Sequence, residues 1–256
     1  MSFSSRSYVN PYIPSNRFPA GLKWLLIVNT GLFVLFILAG QLAERQLGLV
    51  VDYLGLVPAQ VVHRFAIWQL VTYMFVHSGF SHILWNMLAL WMFGAQIERL
   101  WGTPRFLRFY FTCGVFAALT VIVCAYIFGG TNIMTVGSSG AIYGILVAYG
   151  LMFPDQTVLF GFLIPIKSKY FVMIIGGIVF LQAYMGTVGG KGSGVAVVAH
   201  LGGLVAGYLL LRGNRLRSQI VRPISASYRD WKLRRARRQF EVYRRKHNSD
   251  RDRWVH

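Results

Sequence analysis

The chain has 256 residues, of which 55% are hydrophobic and only 13% charged, and it carries a formal net charge of +18. Its charges are crowded into a few short stretches instead of being dispersed over a water-facing surface, which excludes an ordinary soluble globular domain and indicates a membrane protein. Its basic balance is concentrated at one end and is accompanied by no recognisable RNA-binding module, so nucleic acid is not an expected partner.

In chain order, residues 1–21 hold three prolines and several serines and read as a cytoplasmic lead-in segment. A bilayer core about 30 Å thick needs about 20 mostly apolar residues per helix, and six stretches qualify as spans: 22–42, 81–100, 105–128, 138–153, 169–187 and 195–212. The fourth is short and the second is polar at both ends, so hydropathy alone allows four to six, and charge placement is the better guide. With six spans and both termini cytoplasmic, 23 of the 26 Lys and Arg lie inside and only Arg45, Arg64 and Lys191 outside, the bias expected of a membrane protein. The first apolar run is long and lacks a small-residue cleavage site after a short core, so it is expected to stay as a transmembrane helix. The expected location is the plasma (inner) membrane.

Between the first two spans, residues 43–80 form an external segment too apolar for a solvated loop. It is expected to lie partly in the membrane interface, with Trp68 and Tyr73 as amphipathic anchors and its irregular backbone buried against protein. Cys113 and Cys124 are eleven apart on the third span, about 16 Å along a helix and too far for a disulfide. The tail, 213–256, is strongly basic, and Leu233, Ala236, Phe240 and Tyr243 recur in it at helical spacing. It reads as an amphipathic helix on anionic headgroups.

Strongly polar groups inside a bilayer are costly, and each needs a reason. The candidates are His77, His82, Asn86, Glu98, Ser139 and His200. His82 and Asn86 are four apart and share a helix face, near the outer end of the second span. Ser139 opens the fourth span, and His200 lies about 7.5 Å into the sixth at 1.5 Å per residue. These groups come from separate helices and converge on one depth of one leaflet. Gly140, Gly144 and Ala148 on the fourth span, and Ala199, Gly203 and Gly207 on the sixth, repeat every four residues, a spacing that lets two membrane helices approach closely. Packing those seams together would bring the Ser139 hydroxyl within reach of the His200 imidazole, as a nucleophile and its general base require.

Each residue also has a plainer reading. A membrane-helix serine often bonds back to its own carbonyls, Ser138 can be a helix cap, and a lone span histidine is often structural. Glu98, at the far end of its helix, reads as a structural acceptor or a partner of Arg99 or Arg105. A metal site is disfavoured: His77 and His82 are five apart and no HExxH is present. No acid is placed to orient His200, so a catalytic pair would be a dyad, held by packing and by aromatic neighbours such as Tyr143. No cofactor is called for.

These residues resemble the rhomboid intramembrane proteases. Gly137-Ser138-Ser139-Gly140 is similar to the family's GxSG, Ala199-His200 is followed by Gly203 and Gly207, His77, His82 and Asn86 stand in an HxxxxHxxxN pattern, and Gly94, Glu98 and Gly102 fit the end of the second helix. The resemblance covers about 22–212. It implies a six-helix all-α bundle that hydrolyses peptide bonds in or near transmembrane segments of membrane-protein substrates, with Ser139 as nucleophile, His200 as general base and acid, and His82 and Asn86 stabilising the oxyanion. One departure is Trp68-Gln69 where the family usually has Trp-Arg before the TxxFxH segment, here Thr72 to His77; the tail is an addition to the core. The alternatives are a non-catalytic binder of transmembrane clients and a channel or transporter.

Overall fold

A computed structural model describes residues 18–42, 44–161, 163–188, 194 and 197–213. Most of the lead-in segment and nearly all of the basic tail, including its expected amphipathic helix, lie outside the described residues. Residues through Leu209 belong to one compact unit. Its elements in order are α1 (Ala20–Leu42), α2 (Glu44–Leu54), α3 (Pro58–Arg64), α4 (Gln69–Thr72) running into a 3-10 turn at Tyr73–Phe75, α5 (Phe80–Trp101), α6 (Thr103–Phe128), α7 (Ser139–Met152), the hairpin strands β1 (Thr157–Phe160) and β2 (Ile164–Lys167), α8 (Ser168–Val188) and α9 (Val197–Gly213).

The six longest stretches of apolar sequence are thus helices. Ala20–Gln41, Thr103–Phe128 and Ser168–Gly186 are long and apolar enough to cross a membrane by length and composition alone. The described parts of α7 and α9 are shorter apolar helices, and α5 carries His82, Asn86, Glu98 and Arg99 among its apolar residues.

Local chemistry sets the boundaries. Proline occupies the first turn of α3 and of α6, where its missing N–H costs nothing. Gly102, at φ +77°, breaks the chain between α5 and α6, and Gly129, at φ +90°, ends α6; both are conformations glycine adopts without steric cost. At the centre, α7 is buried at every position from Gly140 to Gly150 except Tyr143, packed against α5, α6 and α8. Its 14 residues reach only about 21 Å, short of a bilayer core about 30 Å thick.

The external segment differs from expectation in one respect. Trp68 is part-exposed, stacks on Tyr53 at 4.8 Å and donates to the Tyr53 carbonyl at 2.9 Å, but Tyr73 is not an interfacial anchor. It is 1% exposed and its hydroxyl donates to the Gly114 carbonyl at 2.8 Å, pinning the 3-10 turn to the middle of α6. The aromatic ring finds more apolar contact inside the bundle than at an interface, and the hydroxyl still finds an acceptor there.

Candidate active site

Ser139 and His200 come together. The chain enters α7 through Gly137, at φ +109°, and Ser138, and Ser139 Oγ lies 2.7 Å from His200 Nε2. The small residues explain the approach. A Cβ on Gly203 would fall inside contact distance of the Gly140 carbonyl oxygen, and one on Gly207 would meet Gly144 Cα and O at 2.8 Å. Backbone therefore rests on backbone along the α7–α9 seam, one turn from His200. The imidazole is stacked on Tyr143, with centroids 4.5 Å apart and planes 24° from parallel. A hydroxyl donating to a neutral imidazole nitrogen is the ground state from which a serine alkoxide can be generated.

Ser138 is fully buried, whereas Ser139 is part-exposed. Ser138 occupies the N-cap position, but its hydroxyl makes no capping bond. The capping role expected of that hydroxyl is therefore not seen. The first N–H groups of α7, including that of Ser139, are left without intrahelical partners, as at any helix start, and present the positive end of the helix dipole.

Beside this turn stand the other two polar residues of the cluster. A Cβ on Gly137 would lie 2.6 Å from His82 Nε2 and 3.5 Å from Asn86 Nδ2, so both side chains reach the backbone leading to Ser139, and only glycine leaves room for them. Asn86 Nδ2 is buried with no hydrogen-bond partner, a costly state for a donor and the state expected of one awaiting a developing anion. His82 Nδ1 pairs with Ser78 Oγ at 3.0 Å, and its ring meets His77 edge-on at 5.1 Å. His77 is buried, and neither ring nitrogen has a hydrogen-bond partner. Burial first, and then the neighbouring His82, push His77 down to about 4, with the Phe75 backbone opposing the shift.

Several positioning contacts carry no local sequence signal. The external segment is pinned to the approach to Ser139 by backbone bonds: Leu56 and Thr135 exchange N–H to carbonyl bonds at 3.0 and 2.8 Å, and the Gly137 N–H donates to the Tyr73 carbonyl at 2.9 Å. Gln69 is fully buried and braces the same segment. Its Oε1 accepts from the Val57 N–H at 3.0 Å, and its Nε2 donates to Gln60 Oε1 at 2.8 Å and to the Asp52 and Tyr53 carbonyls at 3.3 Å. The amide thus bonds the loop where the family usually has arginine.

Glu98 is far from Ser139 along α5 and 3% exposed. Its carboxylate accepts from the Gly21 and Leu22 N–H groups at 2.8 and 2.7 Å and from Thr103 Oγ1 at 2.5 Å. It is therefore an acceptor that caps α1, a favourable place for a negative charge. Among the described residues it forms no salt bridge with Arg99 or Arg105; Arg105 lies over the Trp101 ring instead. Gly94 lets Phe106 approach α5, at 3.3 Å from where a Cβ would sit.

A family model described as the Rhomboid domain matches residues 64–213, more than half of the chain. The chain belongs to the rhomboid family, and it is an integral membrane protein. It is 31% identical to Bacillus subtilis YdcA over 143 residues, 56% of this chain and 65% of YdcA. It is 32% identical to the B. subtilis rhomboid protease GluP over 141 residues, 55% of this chain and 25% of GluP. The Haemophilus influenzae rhomboid protease GlpG is 30% identical over 187 residues, 72% of this chain and 88% of GlpG. The chain thus spans less than two thirds of the length of the first two relatives.

Proposed function

We propose that the protein is an intramembrane serine endopeptidase working through a Ser139–His200 dyad. The observation that carries this reading is the 2.7 Å contact between Ser139 Oγ and His200 Nε2, with the ring held by Tyr143. His200 Nε2 takes the hydroxyl proton as Oγ attacks the peptide carbonyl carbon. The oxyanion is stabilised by His82, Asn86 and the Ser139 N–H, donors of a kind typically worth about 3 kcal/mol each. Collapse breaks the C–N bond, and His200 gives the proton to the leaving amine. Water then attacks the ester while His200 takes its proton, and as the ester C–O bond breaks His200 returns that proton to Ser139 Oγ, releasing the acid and the free serine.

The topology that goes with this is six spans with cytoplasmic termini, in the plasma membrane, with the basic tail on anionic headgroups. Ser139 then faces the external side, below the surface because α7 is short. The substrate is a membrane protein cut in or near a transmembrane segment, where a helix must unwind to expose its peptide bond. A non-catalytic binder is less well supported, since it has no use for a free Asn86 donor beside a bonded Ser–His pair. A fluorophosphonate probe tests the nucleophile. It should label the part-exposed Ser139 and leave buried Ser138 unmodified, and labelling that persists in Ser139→Ala would contradict the assignment.

A further inference from the structure

The end of α7 opposite Ser139 leads into the β1–β2 hairpin. Its register pairs Thr157 with Lys167, Val158 with Ile166, Leu159 with Pro165 and Phe160 with Ile164. Alternation along the strands gives the hairpin two faces. One carries Val158, which is buried, and Phe160, whose ring meets Phe171 edge-on at 6.2 Å. Phe171 in turn stacks on Phe93 of α5 at 5.6 Å. The other face is free. It runs from Thr157 and Lys167 at the base to Leu159 and Pro165, and the adjoining turn exposes Leu163 at 84%.

The direction of the hairpin is set by two sets of contacts. At the base, the Ser168 N–H donates to the Gln156 carbonyl at 2.8 Å, the Lys169 N–H donates to Pro154 O at 3.2 Å, and Asp155 Oδ1 pairs with Lys169 at 3.0 Å and Lys167 at 3.3 Å. Near the tip, Phe160 sits against Phe171, which is three residues inside the span that begins at Ser168, or about 4.5 Å deeper along the helix. The hairpin is therefore folded back beside α8 instead of projecting away from the bundle. Its ion pairs lie at the level where the span starts, and its apolar tip lies at the level of the span's first turn.

From this geometry we infer that the Thr157–Lys167 hairpin is a membrane-contacting element whose free face and turn, carrying Leu159, Pro165 and Leu163, dip among lipid acyl chains at the end of the bundle away from Ser139, with Lys167 and Lys169 at the headgroups. An isolated two-stranded hairpin is marginal in water, and exposed contiguous apolar surface normally marks a contact. Here the span adjoining the strand places lipid beside it. Lysines at the base can keep their ammonium groups at the polar boundary while the apolar tip is submerged. The inference rests on α8 crossing the bilayer and not on the protease reading.

Nitroxide labels on single cysteines test it in the full chain, reconstituted in phosphatidylcholine–phosphatidylglycerol vesicles. Cys124→Ser removes the half-buried thiol, and Cys113 is buried. Labels at Leu159→Cys and Leu163→Cys should collide with oxygen severalfold more than with a water-soluble nickel chelate, and a label at Thr157→Cys should show the reverse. Equal nickel access at Leu163 and Thr157 would overturn the inference. Dipolar broadening at Leu163 that survives dilution with unlabelled lipid would also overturn it, because the tip would then face a second copy of the chain.

Discussion

Replacing Gly203 by alanine puts the packing account of the site at risk in one step. A Cβ at this position would meet Gly140 Cα at 3.2 Å and its carbonyl carbon at 2.8 Å, with the carbonyl oxygen closer still. All three are backbone atoms that cannot rotate away, so α7 and α9 must part by on the order of 1 Å, and a misplacement of that size can cost about 10²-fold in rate. The same overpacking should cost about 1–3 kcal/mol of stability. Gly177→Ala is the matched control, since a Cβ there meets nothing within 4 Å. Cleavage of a labelled single-span substrate by the reconstituted variants is the assay, read beside their melting temperatures. The account expects a loss on the order of 10²-fold for Gly203→Ala and near-normal activity for Gly177→Ala. Near-normal activity in a folded Gly203→Ala protein would refute the idea that the glycine seam sets the Ser139–His200 distance.

Glu98→Ala should leave the buried Gly21 and Leu22 N–H groups without their acceptor and destabilise the protein by about 3–6 kcal/mol at about 1.5–3 for each of these two charge-assisted bonds, seen as a lower midpoint in detergent-driven unfolding; Glu98→Gln, which keeps one acceptor, should lose less. His77 supplies a pH dependence. Its folded value of about 4, below the ordinary 6.5, means that the unfolded chain takes up a proton which the folded chain refuses. Stability is therefore full above about 6.5, declines as pH falls toward about 4 and levels off below, a fall of about 3 kcal/mol at 1.36 per unit. Melting temperatures across that range should fall less steeply in His77→Gln than in the parent, and equal slopes would count against this origin.

Much of the helical framework was legible because about 20 apolar residues in a row have few alternatives in a membrane, and the bounds of the six helices fall close to those expected. The glycine and alanine spacing also announced which faces of α7 and α9 could meet. Contacts between distant residues were less legible. Glu98 was readable as a buried acceptor, but its partners lie 76 and 77 residues away at the start of α1, and arginines next to it in sequence were the natural guess. Tyr73 had the composition of an interface anchor, and only the neighbouring α6 carbonyl shows why it is inside. Gln69 stood out as a departure from the family's usual arginine, yet its four bonds depend on where the loop folds. The β1–β2 hairpin was missed altogether, since its near-continuous apolar run lacks the period that marks a half-exposed strand.

The most direct test is cleavage itself. The purified protein, reconstituted in lipid with a labelled single-span substrate, should cut it, and Ser139→Ala and His200→Ala should each abolish the cut while remaining folded. Cleavage that survives in Ser139→Ala, or a folded wild type that binds the substrate and never cuts it, would contradict the assignment of this dyad.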